Sequence, residues 1–392
     1  MDGLTTTWRK TKTGMKLQQD VVYLARVPID TDVAPGELYR ELAHAALDPL
    51  ELDLPATGTV VLKANATVLF PADRRIITHP EFLAGLAEAF TAQGVASSRI
   101  EVGDGQSGEN ADHGQTWKGS GYTGAMGSTG ATLLEYNDTP VRDIDVEGGV
   151  VYQRYPIYTA VTDCAYLVNV PLAKCHNLGC TTLSIKNLMG VLGRPERHLC
   201  NVQACDQPLG DDALFRLGDS GLSVFEERFC HKLCDLLVAT RSLPMPRLTV
   251  VDGLVGRDGT AFNEGRNWPL GWSLVGDNEV HVDAVGTWLM GLEPEGTPYL
   301  QFAAERGLGR IRIGDIDVVD LATGDLMDAT ALGVARRSEP LMPIARCEGR
   351  YYARFRADGS TVPWRIDRVN EQRLKDGLEP VPVDLFEAQA AG

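Results

Sequence analysis

The segment AYLVNVPLAKCH, residues 165–176, is the part of the sequence that decides the fold. Its first six residues form a near-continuous apolar run, which is typical of a strand buried on both faces of a parallel sheet. The run TVVLKA at 59–64 has the same character. Helical patterns at 36–47 and 79–93 flank the latter run, and this β–α–β order predicts parallel strands with helices packed across them.

We therefore predict an α/β fold with a mostly parallel sheet, helices on both faces, and strand-end loops that form one crevice. The expected organisation is a polar segment at 1–20, an α/β domain at 21–328 and a small mixed C-terminal extension at 329–392. The alternative divides the α/β domain into two lobes, at 21–135 and 136–328. Further elements are predicted in the second half: a hairpin at 144–158, helices at 182–192 and 223–240, and a strand at 272–275.

The charge of the chain restricts its partners. Thirty-seven Lys and Arg residues stand against 53 Asp and Glu, a formal net charge of −16. Nucleic acid and anionic membranes would be repelled by such a field. The sequence shows neither a run of about 18 apolar residues nor an apolar export signal near residue 1. We expect no nucleic-acid or membrane partner, a cytoplasmic location, and reduced cysteines unless they hold metal.

The cysteines between residues 169 and 205 suggest a metal. Cys175, Cys180, Cys200 and Cys205 form two C-x₄-C pairs, with His176 among them. Thiolate and imidazole ligands favour an iron–sulfur cluster or zinc. The alternative is that these are small buried thiols, since free cysteine is among the most buried residue types.

Two lysines suggest an anionic ligand. Lys174 follows the end of a buried strand, and Lys186 lies with Asn187 in an otherwise apolar helical pattern. A lysine in such a setting is costly unless it meets an anion. An anionic substrate would satisfy both lysines, and a structural ion pair with Asp163 or Asp252 is the alternative.

Polar residues also occur at other strand ends, where α/β sheets bind ligands. They are Lys63, Asn65, Asp104 and Asp252. A strand-end aspartate can act as a base or cap the next helix, whereas Asp283 is expected to serve in capping or packing. We expect no nucleotide cofactor, because the sequence carries no dinucleotide fingerprint, Walker loop or nucleophile elbow.

A family resemblance rests on a series of motifs. Their order along the chain is VVLKAN (60–65), ITHPEF (77–82), EVGDG (101–105), AYLVNVPLAKCH (165–176), TTLSIKNLMG (181–190), LTVVDG (248–253) and ERGLG (305–309). Over about residues 20–320 the chain resembles the prokaryotic family catalogued as domain of unknown function 362. The most specific part is K-x-H followed by K-N-x-x-G. The resemblance implies an association with ferredoxin-like iron–sulfur motifs, although this chain has no C-x₂-C-x₂-C run.

The resulting hypothesis is a metal-dependent enzyme that acts on a small anionic metabolite by lyase, isomerase or redox chemistry. An iron–sulfur cluster is the first choice of cofactor and zinc the second, held by the four cysteines. Lys174, His176, Lys186 and Asp104 are the candidate catalytic residues, and Lys63, Asn65, Asn187 and Asp252 the candidate substrate-binding residues.

Two alternatives remain at this point. One is a metal-free enzyme in which Cys175 or Cys180 is the nucleophile and His176 the base. The other is an accessory protein that presents a metal or cluster to a partner without turnover. A redox partner and a homo-oligomer are compatible with the leading hypothesis.

Overall fold

The structure, a computed structural model, describes residues 14–29, 35–66, 71–105, 117–176, 178–193, 224–259, 265–341, 343–347, 350–353 and 374. The strands are β1 (Met15–Lys16), β2 (Val22–Arg26), β3 (Leu50–Glu51), β4 (Val60–Lys63), β5 (Ile100–Asp104), β6 (Thr132–Glu135), β7 (Val141–Asp145), β8 (Arg154–Tyr158), β9 (Tyr166–Asn169), β10 (Leu172–His176), β11 (Cys180–Thr182), β12 (Arg247–Val250), β13 (Asp252–Arg257), β14 (Asn267–Gly276), β15 (Val318–Asp320), β16 (Asp325–Leu326), β17 (Ile344–Cys347) and β18 (Arg350–Ala353). The helices are α1 (Gly36–Leu47), α2 (Pro80–Ala92), α3 (Tyr122–Gly127), α4 (Thr159–Thr162), α5 (Ser184–Asn187), α6 (Val224–Arg241), α7 (Glu279–Leu289), α8 (Pro298–Glu305) and α9 (Ala329–Ala335).

The main sheet confirms the predicted α/β class. Strands β12, β9, β4, β5 and β6 lie side by side and are all parallel. On the other side, the long strand β14 runs antiparallel to β12, β13 and β2. Strand β10 is parallel to β13, and β11 closes that edge as an antiparallel hairpin partner of β10. The parallel strands therefore end together at one edge of the sheet.

Helices cover both faces of the sheet because its strands are apolar on both sides. Val60 and Leu62 of β4 pack into one core with α1 and α2, whereas Val61 packs into the other core with α6 and α7. Strand β9 divides its residues in the same way. This alternation follows from the two-residue period of a strand, and it explains why the sequence shows continuous apolar runs rather than alternating ones.

The helix predicted over residues 182–192 is wrong in extent. The segment begins as the end of β11, forms the short helix α5 and continues as a 3₁₀ turn, Leu188–Val191. Asp283 explains the start of α5: its carboxylate accepts hydrogen bonds from the backbone N–H groups of Ser184 (2.7 Å) and Ile185 (3.0 Å). The expected capping role of Asp283 is thus observed, although it caps α5 rather than its own helix α7.

Several other predictions can be compared with the structure. The hairpin at 144–158 is confirmed as β7 and β8, and the helix at 223–240 as α6. Strand 272–275 is longer, as part of β14. Most of the predicted C-terminal extension lies outside the described residues. Within the described part of the chain, no helix is long and apolar enough to cross a membrane.

Replacing Asp283 by Asn should destabilise the fold by on the order of 3 kcal/mol. The buried carboxylate also accepts from the Tyr299 hydroxyl (3.1 Å), and the asparagine NH₂ group would leave buried donors without an acceptor. Urea unfolding of Asp283→Asn measures the free energy of unfolding. Asp325→Asn, at an exposed position, is the matched control and should match the parent protein. An Asp283→Asn variant as stable as that control would contradict the capping role.

Candidate functional site

A buried ion pair marks the carboxyl edge of the parallel strands. Lys63 ends β4 and Asp104 ends β5, and Lys63 Nζ lies 2.6 Å from Asp104 Oδ1 with both side chains fully buried. Asp104 Oδ2 also accepts from the backbone N–H of Ala66 at 2.6 Å. Burial lowers the pKa of Lys63 and raises that of Asp104, while their mutual attraction opposes both shifts. The two residues, predicted to bind and transform substrate, are partners of each other and add no net charge to the site.

A chain of side-chain amides extends from this pair. Asn65 Nδ2 donates to Asn187 Oδ1 (3.0 Å), and Asn187 Nδ2 donates to Asn169 Oδ1 (2.8 Å). Asn169 Nδ2 in turn donates to the backbone oxygen of Ser184 (2.9 Å). The structure therefore brings the predicted residues Asn65 and Asn187 together. Asn169 was missed, although it stands out as the polar residue of the run at 165–170.

Lys174 joins this network from β10. Its ammonium donates to Asn65 Oδ1 (2.7 Å) and to the backbone oxygen of Ile76 (2.5 Å). Burial, and then the nearby charges of Lys186 and Arg257, lower the pKa of Lys174 to about 7. Lysine and arginine side chains are thus close enough here to repel one another.

Lys186 is buried without an oxygen acceptor. It is 8% exposed, and its ammonium contacts the Met189 sulfur at 3.4 Å. A thioether is a weak acceptor. Among the described residues, no carboxylate or carbonyl oxygen lies within hydrogen-bond distance of this ammonium. The two aspartates considered as ion-pair partners are engaged elsewhere: Asp163 with Arg142, and Asp252 with a backbone N–H.

Asp252 is held in a second polar cluster at the same edge. Its Oδ2 accepts from the backbone N–H of His79 at 2.8 Å. The His79 ring stacks on Tyr39 at 3.7 Å, and the Arg75 guanidinium lies 5.0 Å from the Tyr39 ring centre. Burial raises the pKa of Asp252 to about 7. Burial and the charge of Arg75 lower the pKa of His79 to about 3, so His79 is neutral.

The segment 75–79 connects the two clusters. The Ile76 oxygen binds Lys174, the Thr78 hydroxyl donates to the Val170 oxygen (2.7 Å), and the His79 N–H binds Asp252. This segment therefore crosses the ends of neighbouring strands and fixes Lys174 and Asp252 on one edge of the sheet.

Gly190 closes the site because only a glycine fits there. A Cβ atom at this position would lie 1.9 Å from Asp104 Oδ1 and 2.7 Å from Lys63 Nζ. Its backbone oxygen accepts from the N–H of Gly105 at 2.9 Å. The glycine of the K-N-x-x-G motif is thus explained by close approach of the backbone to the buried ion pair.

His176 is buried and its Nδ1 atom is occupied. Nδ1 accepts from the backbone N–H groups of Leu178 (3.0 Å) and Gly179 (3.2 Å), and the ring stacks on Phe229. In the neutral ring the proton therefore lies on Nε2. The acid–base role of His176 stays a prediction, and Nδ1 is not its proton acceptor.

The structure describes two of the four cysteines that were predicted to hold a metal. Cys200 and Cys205 lie outside the described residues. Cys175 and Cys180 are fully buried, and the Cys175 thiol donates to the Leu341 oxygen at 3.2 Å. Burial raises the pKa of Cys175 well above its usual range, which does not support a nucleophilic thiolate. No three His, Cys, Asp or Glu side chains of the described residues gather in a ligand set, so these residues alone do not fit a cluster.

The raised pKa of Asp252 predicts a pH dependence of stability. The folded protein holds this proton more tightly than the unfolded chain, whose carboxyl titrates near the ordinary value of 3.8. The contribution of this carboxyl to the free energy of unfolding is therefore fully present below about pH 4 and is lost as the pH rises through about 7. The loss amounts to up to about 4 kcal/mol. Asp252→Asn removes this titration. Urea unfolding between these pH values should show the parent losing stability relative to the variant.

Asp315→Asn, at an exposed position, is the control. Its free energy of unfolding should change with pH in the same way as that of the parent. If the free energy of unfolding of Asp252→Asn also changed with pH as that of the parent does, the pKa of Asp252 would not be raised in the folded protein.

The chain was compared with curated proteins, with solved structures and with models of protein families. No curated protein matches the sequence. The lactate racemase apoprotein from Thermoanaerobacterium thermosaccharolyticum has a TM-score of 0.36 at 11% identity, over 60% of this chain and 51% of that one. A protein from Thermotoga maritima has a TM-score of 0.32 at 9% identity, over 62% of this chain and 55% of that one. The chain spans little more than half of either structure.

The family assignment rests on sequence. The model of the family described as "Domain of unknown function (DUF362)" matches residues 60–288. This range contains the strand ends Lys63, Asp104 and Asn169 and the whole of α5. Because the match covers more than half of the 392 residues, the chain belongs to the DUF362 family.

Proposed function

We propose that the cluster at the carboxyl edge binds a small anionic metabolite and that the chain is an enzyme acting on it. The observation that carries this proposal is Lys186, a residue that is 8% exposed and whose ammonium group has, among the described residues, the Met189 sulfur as its one hydrogen-bond partner. Burial of a cation without a counter-ion is expensive. A carboxylate or phosphate of the ligand would supply the missing acceptor.

The charge of the surrounding residues supports the same class of ligand. Lys63 and Asp104 compensate each other, and Lys174 lies close enough to Lys186 for the two charges to act on each other. Two lysines held close together at the carboxyl edge of the sheet favour an anion over a neutral or cationic ligand. The amides of Asn65 and Asn187 hold this edge in a fixed arrangement.

Asp252 is the residue that we assign to proton transfer. It is fully buried at the same edge, and its pKa of about 7 lies near the pH at which a proton donor or acceptor works best. Segment 75–79, which binds both Asp252 and Lys174, fixes the carboxyl relative to the cationic residues. Transfer of a proton to or from the bound anion is a step shared by lyase and isomerase chemistry.

Lys186→Met should separate a ligand-binding role from a structural one. Methionine removes the charge and keeps the apolar length of the side chain, so the free protein should gain stability, by about 1 kcal/mol or more. Phosphate, acetate and malonate should raise the melting temperature of the parent in a concentration-dependent manner, because a ligand that binds only the folded state stabilises it. That rise should be lost in Lys186→Met. Differential scanning calorimetry measures both effects.

The matched control is Lys118→Met, which removes an exposed lysine and should keep the anion response. Loss of stability in the anion-free Lys186→Met variant would show that Lys186 has a structural partner. An equal anion response in the parent and in Lys186→Met would place the anion elsewhere.

We also propose that the chain holds an iron–sulfur cluster, with zinc as the second candidate metal. Its ligands would be Cys175, Cys180, Cys200 and Cys205. If these residues share one metal, Cys175→Ala and Cys200→Ala should each abolish the iron and sulfide content of anaerobically purified protein. Cys230→Ala, a buried thiol of the α6 core, is the control and should keep the metal. Full metal content in both test variants would rule out the four-thiolate site.

A further inference from the structure

Two buried hydroxyl groups near Asp252 have no hydrogen-bond partner among the described residues. They belong to Tyr39 of α1 and Ser273 of β14, and both residues are fully buried. In the part of the chain that the structure describes, only one other hydroxyl, that of Tyr136, is buried in this way. Buried hydroxyl groups are normally paired, because an unpaired one gives up its hydrogen bonds to water without replacing them. Two such groups near one carboxyl point to a partner that the chain itself does not supply.

The register of the sheet places Ser273 beside Asp252. Gly253 pairs with Trp272 in the antiparallel ladder of β13 and β14, so Asp252 lies directly opposite Ser273. Residues opposite each other in such a ladder have Cβ atoms about 5 Å apart and share one face of the sheet. Trp272 and Leu274, the neighbours of Ser273, pack into the core with α6 and α7. Ser273 therefore faces the other side of the sheet, where α1 and α2 lie.

Tyr39 approaches the same carboxyl from α1. Its ring is stacked on that of His79, with 3.7 Å between the ring centres, and the His79 N–H donates to Asp252 Oδ2 at 2.8 Å. Burial, and then the charge of Asp252, raise the pKa of Tyr39, so the hydroxyl lies within the field of the carboxylate. Packing against His79 thus holds the Tyr39 hydroxyl near Asp252.

The Asp252 carboxyl has capacity for a further partner. Within the described residues its Oδ1 atom accepts a single long hydrogen bond, from the Leu254 N–H at 3.5 Å. The charge of Arg75 acts on this carboxyl and would repel a ligand ammonium group. A carbonyl oxygen could accept from the two hydroxyl groups but could not donate to the carboxylate. A ligand hydroxyl can do both, so it fits these three groups best.

Side chains of the same edge connect Asp252 with the lysine that we assign to anion binding. Burial, and then the charges of Asp104 and Asp252, raise the pKa of Tyr122, so both carboxyls lie near this one tyrosine. Asp104 pairs with Lys63. Burial lowers the pKa of Lys63, and the nearby charge of Lys186 lowers it further. Lys186 and Asp252 thus lie at one edge with shared neighbours, as two ends of one ligand site require.

We infer that the anion bound at this edge carries a hydroxyl group, which Tyr39, Ser273 and Asp252 bind. The ligand hydroxyl donates to Asp252 Oδ1 and accepts from the Tyr39 and Ser273 hydroxyl groups, so each of these buried groups gains a partner. The ligand class is therefore a small carboxylate or phosphate with a hydroxyl substituent. This inference rests on the proposed function, which assigns the negative charge of the ligand to Lys186.

The test compares anions that differ by one hydroxyl group or more, using differential scanning calorimetry on the full chain. The pairs are glycolate with acetate, tartronate with malonate, malate with succinate, and glycerol 3-phosphate with propyl phosphate. In at least one pair we expect the hydroxylated anion to bind about fivefold more tightly or better, from the concentration dependence of the melting temperature. The pair that responds distinguishes a carboxylate ligand from a phosphate. Glycine, with an ammonium group in place of the hydroxyl, should bind no more tightly than acetate.

Tyr39→Phe and Ser273→Ala remove the two hydroxyl groups one at a time. Both variants should keep the response to the anions without a hydroxyl and lose most of the preference for the hydroxylated ones. Without ligand, Tyr39→Phe should be at least as stable as the parent, because no described residue bonds to that hydroxyl. Tyr155→Phe is the control. Its hydroxyl donates to the Lys232 oxygen in the opposite core, so this variant should keep the preference of the parent.

The outcomes distinguish this inference from the proposed function. If no anion raises the melting temperature of the parent, both are wrong. If anions raise it through Lys186 but no pair shows a preference for the hydroxyl, the proposed function stands and the hydroxyl inference is wrong. A preference that survives in both Tyr39→Phe and Ser273→Ala would also overturn it, because another group would then bind the hydroxyl. If Tyr39→Phe fails to fold, Ser273→Ala and the anion pairs on the parent still decide.

Discussion

The ion pair between Lys63 and Asp104 is the interaction on which the carboxyl edge depends. Two fully buried charges stay tolerable only because each meets the other and the remaining hydrogen-bonding capacity is used, by the Ala64 oxygen on one side and the Ala66 N–H on the other. The pair fixes the ends of β4 and β5 and requires a glycine at position 190, whose backbone lies directly against it. Since the pair is neutral as a unit, it adds no net charge to this edge of the sheet.

The sequence predicted the parts of the molecule that depend on local pattern. Continuous apolar runs identified β4 and β9 as strands buried on both faces, and the helical spacing around them identified α1 and α2. The location of Lys63 and Asp104 at strand ends also followed from the sequence, because the carboxyl ends of parallel strands meet at one edge. Lys174, in contrast, was predicted to follow a strand end and lies in the middle of β10. A lysine at position 186 in an apolar setting was recognisable as a cation that needs an anion.

What the sequence could not show depends on contacts between distant residues. The helix predicted over 182–192 is interrupted because Asp283, 99 residues from Ser184, binds the N–H groups at the start of α5 and fixes its first turn. Likewise, spacing alone could not tell that Lys63 meets Asp104 rather than substrate, since the two are 41 residues apart. Asn169 escaped notice because its side chain acts through Asn187 rather than through a recognisable motif. Secondary-structure propensity is a property of a single segment, whereas these contacts depend on the order of the strands in the sheet.

The same sheet order separates two kinds of electrostatic environment. At the carboxyl edge the charge of Lys186 lies close enough to Lys174 to lower its pKa, while at the amino edge Arg241 and Arg247 lie near the one carboxylate of Glu279. Strand β9 reaches both, from Tyr166 to Asn169, a distance of about 10 Å at the usual rise per residue. Its interior residues Leu167 and Val168 are packed into the two cores on opposite faces of the sheet. A strand held on both faces leaves little room for its ends to move, so the packing of β9 fixes Asn169 and, through the hydrogen bond from Asn187, the short segment that carries Lys186.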